Sequence, residues 1–242
     1  MLRVIIALFL MSSLLACSSV EKKSDTPEGL FSIAQELEES DRYELAILRY
    51  NDVKNKFPYS SWATKAELAI ADVHYKAESW PEAQVSYQAF RELHPTHPQI
   101  AYVVFRLGMS YYNQMPETVD RDLTLAKDAI DSFDEVIRRH PGSEYAAEAR
   151  EKKEDSLKRL AGKEEYIADF YFKRGFYGAA LPRYEGLLRN YPNLGFDAKA
   201  LSRAAIAANK ADHKEKAREY LQLLKGKFPD SSELNAARRE IE

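Results

Sequence analysis

The chain has 242 residues, 45% of them hydrophobic and 30% charged, with a formal net charge of −3. That balance argues against a nucleic-acid binder, which concentrates positive charge on one face. One cysteine, Cys17, excludes an internal disulfide, and the few scattered glycines build no phosphate-cradling loop.

Residues 1–16 carry one positive charge, Arg3, followed by an apolar run from Val4 to Leu15. The run is shorter than the roughly 20 residues a spanning helix needs, and fits the hydrophobic region of a secretory signal. It ends Leu14-Leu15-Ala16-Cys17, then Ser18-Ser19. This resembles the bacterial lipoprotein box, in which the Cys becomes the acylated first residue of the mature protein. Cys17 is therefore the expected lipidation site. The resemblance also implies passage to the outer membrane, because Ser18 stands where an Asp would favour retention at the inner one. Several acyl chains would anchor stably, each buried CH₂ contributing about 0.8 kcal/mol. Residues 17–26 are polar and lack apolar periodicity, so they read as a flexible tether.

From residue 27 onward one pattern recurs. Five times a short apolar stretch ends in an aromatic or His followed by Pro: Phe57-Pro58, His94-Pro95, His140-Pro141, Tyr191-Pro192 and Phe228-Pro229. Twelve positions before each Pro stands an Ala (Ala46, Ala83, Ala129, Ala180, Ala217). Eight before it stands a bulky residue (Tyr50, Tyr87, Phe133, Tyr184, Leu221), and five before it another apolar one (Val53, Phe90, Val136, Leu187, Leu224). A small residue lets two antiparallel helices approach closely. The bulky residue four positions on lies on the same face and fills the gap. Proline cannot continue the helix and pushes its predecessor out of the helical region, so each unit stops cleanly. The spacing is that of the second helix of a tetratricopeptide repeat. First helices precede each one, with Leu30, Ile33, Ala34 and Leu37 in repeat 1, and Ile70, Ala71 and His74 in repeat 2. Val104, Leu107, Gly108 and Tyr111 serve in repeat 3, Ile167, Ala168 and Tyr171 in repeat 4, and Leu201, Ala204, Ala205 and Ala208 in repeat 5. The expected fold is all-α, a solenoid of five helix-turn-helix repeats over 27–242, at about 27–60, 61–97, 98–143, 144–194 and 195–232.

The prolines are spaced 37, 46, 51 and 37 residues apart, against about 34 for the simple repeat. The excess in repeat 3 falls at residues 116–122 and reads as a polar loop between its two helices. The excess in repeat 4 falls before Ile167. There residues 145–174 hold no Pro and a single Gly, Gly162, among good helix formers. They predict one long connecting helix before repeat 4, its charged middle, 151–155, a solvated face.

Little of the chain suggests chemistry. His94 and His97 could bind a metal, but Pro95 breaks the helical spacing between them and no third ligand cluster lies nearby, so an inter-repeat turn is the preferred reading. His74 occupies a packing position. Asp120-Arg121-Asp122 reads equally as a recognition element or as loop solvation with local pairing. No Ser/His/Asp arrangement can be built, because helical repeats offer no strained nucleophile turn. No catalytic residue, cofactor or metal is expected, and the chain reads as a scaffold rather than an enzyme.

Several strings resemble the BamD family, the lipoproteins of the outer-membrane β-barrel assembly machine. They are Leu93-His94-Pro95-Thr96-His97-Pro98 with Tyr102, the insert Val119-Asp120-Arg121-Asp122, the run from Leu160-Ala161 through Tyr166 and Phe170-Tyr171 to Arg174-Gly175, and Arg183-Tyr184-Glu185-Gly186-Leu187-Leu188-Arg189-Asn190-Tyr191-Pro192. The resemblance implies a lipid-anchored scaffold at the outer membrane that faces the periplasm. Its C-terminal repeats would bind a BamA-like β-barrel subunit, with Arg183, Glu185 and Arg189 at the contact. Its N-terminal repeats would engage unfolded outer-membrane proteins near Phe57, Tyr59 and Tyr75, and other lipoproteins of the machine would be partners. Phe57 replaces a Tyr of the family and leaves an apolar platform without a hydroxyl. The competing reading is another envelope lipoprotein built on the same repeats, such as a pilus or secretin assembly factor or a coordinator of cell-wall enzymes. Neither needs the repeat-3 insert or the long helix.

Overall fold

The structure, a computed structural model, describes residues 25–241; the signal segment and Cys17 lie outside them. The described residues form eleven α-helices and divide into two compact units, one ending at Ala77 and the other starting at Glu78. The division falls between the two helices of the expected second repeat.

The first unit holds α1 (Pro27–Glu39), α2 (Tyr43–Lys56) and α3 (Ser61–Lys76). Thr26 opens α1 by accepting the Gly29 N–H, and Pro27 occupies the first turn, where its missing donor costs nothing. Ser60 opens α3 in the same way, through the Ala63 N–H at 3.2 Å. Ala34 and Ala46 are fully buried in its core, with Tyr50 and Val53 beside them. The Phe31 ring lies 5.1 Å from both Tyr50 and Trp62.

The second unit holds α4 (Trp80–Leu93), α5 (Ile100–Asn113), α6 (Leu125–Arg139), α7 (Ala146–Lys173), α8 (Tyr177–Asn190), α9 (Asp197–Lys210), α10 (Lys214–Lys227) and α11 (Ser232–Ile241). Consecutive helices from α4 to α11 pack against one another. The prolines act as their sterics require. All five residues before them adopt one backbone conformation, φ from −129° to −137° and ψ from 50° to 62°. Each donates its N–H to the apolar residue four positions earlier. The turn between the helices of a repeat uses a left-handed residue two positions before the second helix. These are Asp41, Glu78, Gly175 and Asp212; in repeat 3 the insert replaces that turn.

α7 is continuous for 28 residues, about 42 Å at 1.5 Å per residue, with no break at Gly162. Its start packs on α6 through Ala149 and its end packs on α8 through Ala161 and Ala168. It is at once the connector and the first helix of repeat 4. The charged stretch 151–155 is not simply solvated. Lys153 pairs with Asp134 of α6, and Asp155 accepts the Tyr112 hydroxyl at 2.8 Å.

The repeat-3 insert is likewise more than a polar loop. Met115 and Leu123 at its ends are buried and close over Leu160. Its carboxylates serve the backbone and hydroxyls: Asp122 accepts the N–H and hydroxyl of Thr124, Asp120 bonds Thr118 with the Arg121 charge beside it, and Lys163 donates to the Arg121 carbonyl at 2.7 Å.

Repeat 5 departs from the pattern in two ways. Leu221 is only half-buried, and Tyr220 beside it shares the packing. Beyond Pro229 a further helix, α11, lays Leu234 and Ala237 over Leu201 and Ile206 and covers the last repeat. Its start is capped by Ser231, which accepts the Leu234 N–H at 3.2 Å.

Candidate partner-binding surfaces

In the first unit, Phe57 ends α2 and lies half-buried against the core, fixed there by the turn that Pro58 imposes. Tyr59, two residues on, is fully exposed at 101%. An aromatic ring left wholly in water at a rigid turn is a ready anchor for a partner. Tyr75 does not join this pair. It sits in the last turn of α3, about 20 Å along the helix from the turn that holds Tyr59. Leu45 and Leu48, one turn apart on the outer face of α2, are 41% and 52% exposed. No repeat position singles them out in the sequence. Behind this face Tyr50 donates its hydroxyl to Glu38 at 2.7 Å, and Lys76 pairs with the same carboxylate. Burial, then the Glu38 bond, pushes the Tyr50 hydroxyl well above the ordinary phenol range.

In the second unit, α8 carries Arg183, Glu185 and Arg189. Tyr184 is fully buried, so Arg183 points elsewhere; its guanidinium is half-exposed, 3.4 Å from Glu164 on α7. Glu185 is turned about 200° from Arg183 around the helix. Its carboxylate accepts the Tyr220 hydroxyl and the Lys216 ammonium, both at 2.8 Å, and so ties α8 to α10. Burial alone would raise the Glu185 carboxyl, but those two bonds outweigh it and hold it below the usual range. Arg189, one turn past Glu185, is exposed in the last turn of α8. The three residues therefore do not form one face: Arg183 looks toward α7, and Glu185 is committed to the fold.

A partly buried relay behind Arg183 left no trace in the sequence. Tyr184 donates to Asp169 at 2.5 Å, and Lys199 of α9 lies 3.0 Å from both Asp169 and Glu165. One lysine thus binds α9 to two carboxylates of α7.

The comparison with known proteins decides between the envelope scaffolds. Residues 23–238 match the family model YfiO, outer membrane lipoprotein. The chain belongs to the YfiO/BamD family. A relative from Neisseria gonorrhoeae, outer membrane protein assembly factor BamD, is 30% identical over 87% of this chain and 82% of its own length. The BamD of Neisseria meningitidis serogroup B is 30% identical over 84% of this chain and 80% of its own length. That of Caulobacter vibrioides is 27% identical over 93% of this chain and 75% of its own length. The match to YfiO/BamD spans both units, so the insert, the long α7 and most of the covering α11 lie within the family region. Among the described residues no helix is long and apolar enough to cross a membrane.

Proposed function

We propose that the chain is a non-catalytic scaffold lipoprotein that assembles β-barrel proteins of the outer membrane. The observation that carries this reading is the family match across residues 23–238, with relatives that are outer membrane protein assembly factors. The anchor is lipid on Cys17, and the repeats face the periplasm. The C-terminal repeats hold the soluble part of a BamA-like barrel subunit, with Arg183 as the contact. Its planar guanidinium suits a partner carboxylate, and the long, half-exposed pair with Glu164 is easily exchanged for a better one. The first unit takes unfolded outer-membrane proteins at the Phe57–Tyr59 turn, where Tyr59 supplies the exposed ring.

Crosslinking in membranes, followed by purification through this chain, tests the proposal. A β-barrel protein with periplasmic repeats is expected in the eluate, and Arg183→Glu should deplete it by adding repulsion where there was attraction. Recovery of pilus or secretin components instead would overturn the reading. Palmitate labelling that persists in Cys17→Ala would remove the anchor.

A further inference from the structure

A cleft of about 380 Å³ runs along the second half of α7 in the second unit, walled at one end by Val119 of the repeat-3 insert. Its floor is one side of the helix, from Gly162 through Tyr166 and Phe170 to Lys173 and Arg174. Gly162 lets the insert close down: a Cβ there would stand 3.3 Å from Val119 Cγ1. Tyr166 and Phe170 are 53% and 44% exposed, although neighbouring aromatics of α7 such as Phe172 pack inward.

The charges in the cleft are not equivalent. Its two carboxylates, Glu165 and Asp169, are both engaged by Lys199 at 3.0 Å, and Asp169 also accepts the Tyr184 hydroxyl. The cations at the far end are not neutralised in this way. Lys173 is exposed and belongs to no ion pair among the described residues. The Arg174 guanidinium lies 3.7 Å above the Phe170 ring. Stacking holds the plane of a guanidinium while leaving its N–H edge to bind a carboxylate. The cleft therefore offers aromatic surface at one end and two cations, one of them pre-oriented, at the other.

We propose that this cleft binds an extended segment of a protein partner that carries an aromatic side chain and an acidic side chain about four residues apart. The spacing follows from the helix. Tyr166 and Arg174 are eight residues apart, about 12 Å along the axis, and an extended chain covers that in about four residues. The aromatic side chain packs on Tyr166 beside Val119, and the carboxylate meets Arg174 and Lys173. The proposal rests on the reading of the chain as a protein-binding scaffold and adds a second contact surface, separate from Arg183.

Fluorescence anisotropy with the purified full chain in detergent tests it. The probe is fluorescein-labelled Gly-Phe-Ser-Gly-Ser-Asp-Gly, amidated at its C-terminus, beside versions with Asn for Asp and Ala for Phe. Saturable binding of the first peptide is expected. Its Asn version, and the protein variant Arg174→Gln, should each bind about tenfold more weakly, the loss of one charge-assisted pair at a half-exposed site. The Ala version and Tyr166→Ser should weaken binding as well. Both substituted side chains are exposed at α7 or its end, and unchanged melting of the variants confirms that the fold is intact. Equal binding of the Asp and Asn peptides, full affinity in Arg174→Gln, or no saturation below about 1 mM would each overturn the proposal. So would sedimentation of the full chain as a dimer that Arg174→Gln dissociates, since a second copy would then occupy the cleft. Capture of the barrel subunit is read separately through Arg183. Lost peptide binding with capture intact removes the cleft alone; loss of both removes the scaffold reading with it.

Discussion

Repeats 3 and 4 solve the same packing problem with opposite chemistry. In repeat 3 the bulky position is Phe133, and the helix opposite offers Gly108, whose bare backbone meets the ring edge-on. A Cβ at Gly108 would come within 2.8 Å of Phe133 Cε1. Nothing polar is needed, and contact is as close as backbone sterics allow. In repeat 4 the facing residue is Ala168, and the bulky position is Tyr184, whose hydroxyl reaches Asp169 and, through it, Lys199 of the next repeat. Repeat 3 is held by shape and repeat 4 by a hydrogen-bonded relay. Shape tolerates no added atom. The relay tolerates a lost hydroxyl but is sensitive to protonation.

The two repeats share α7, so the largest effect should come from breaking that helix between them. Ser156 is fully buried there and donates its hydroxyl to the Lys152 carbonyl at 2.8 Å. Ser156→Pro removes a backbone donor and drives the ring into the preceding turn, a cost of about 3 kcal/mol or more. Thermal melts should then show separate transitions for the parts on either side; one cooperative transition at the original temperature would mean that α7 does not couple them.

Gly108→Ala is next. The added methyl must displace the Phe133 ring in a packed core, a cost of about 1–3 kcal/mol. At the equivalent place in repeat 4 an alanine is already present, so the comparison predicts destabilisation unique to repeat 3. Denaturant unfolding measures it, and unchanged stability would show that Phe133 swings aside freely.

An exchange of the two bulky residues sharpens the contrast. Tyr184→Phe removes one hydroxyl bond, while Asp169 keeps Lys199, so the cost should be about 1 kcal/mol. Phe133→Tyr should cost more, about 1–3 kcal/mol. Met109 stands where repeat 4 carries Asp169, and the new hydroxyl would be buried without an acceptor. If the two single variants lose equal stability, the division into a dry and a polar repeat fails.

These differences mark what the sequence could and could not disclose. The turn before each proline was legible because its cause is local: Pro58, Pro95, Pro141, Pro192 and Pro229 impose one geometry on the residue before them, whatever surrounds it. The alanines at 46, 83, 129, 180 and 217 were legible because close helix approach demands a small residue at one fixed spacing. The engagement of Glu185 was not, because its partners Lys216 and Tyr220 lie more than thirty positions away, and no periodicity links them. A separation of thirty positions likewise hid Lys199 from Asp169. Burial of Met115 and Leu123 was masked by the polar residues between them. The covering helix α11 had a readable signal, Ser231 followed by Leu234, Ala237 and Ile241 at helical spacing, but no proline closes it as one closes each repeat. Tyr184 in the core turns its neighbour Arg183 away from it, but the direction of Arg183 relative to Glu185 depends on which helices flank α8.

The smallest effect, and the most specific to the relay, is the pH dependence of repeat 4. Burial by itself would raise the Asp169 carboxyl; the bonds from Tyr184 and Lys199 outweigh it and hold it below the ordinary carboxylate range in the folded protein. A carboxyl depressed on folding stabilises the protein above its unfolded pKa, and that stability is lost as the pH falls through the folded value. The relay should therefore be at full strength near pH 6 and fade below about pH 4. Asp169→Asn takes away the titrating group while keeping most of the shape. The difference in melting temperature between wild type and Asp169→Asn should hold level from about pH 6 to about pH 5 and shrink as the pH falls below about 4. Gly108→Ala, whose cost is steric, should show a difference that does not follow pH in this way. If the two differences fall together with acid, the charge on Asp169 is not what holds repeat 4, and burial of the Tyr184 ring alone would account for both repeats.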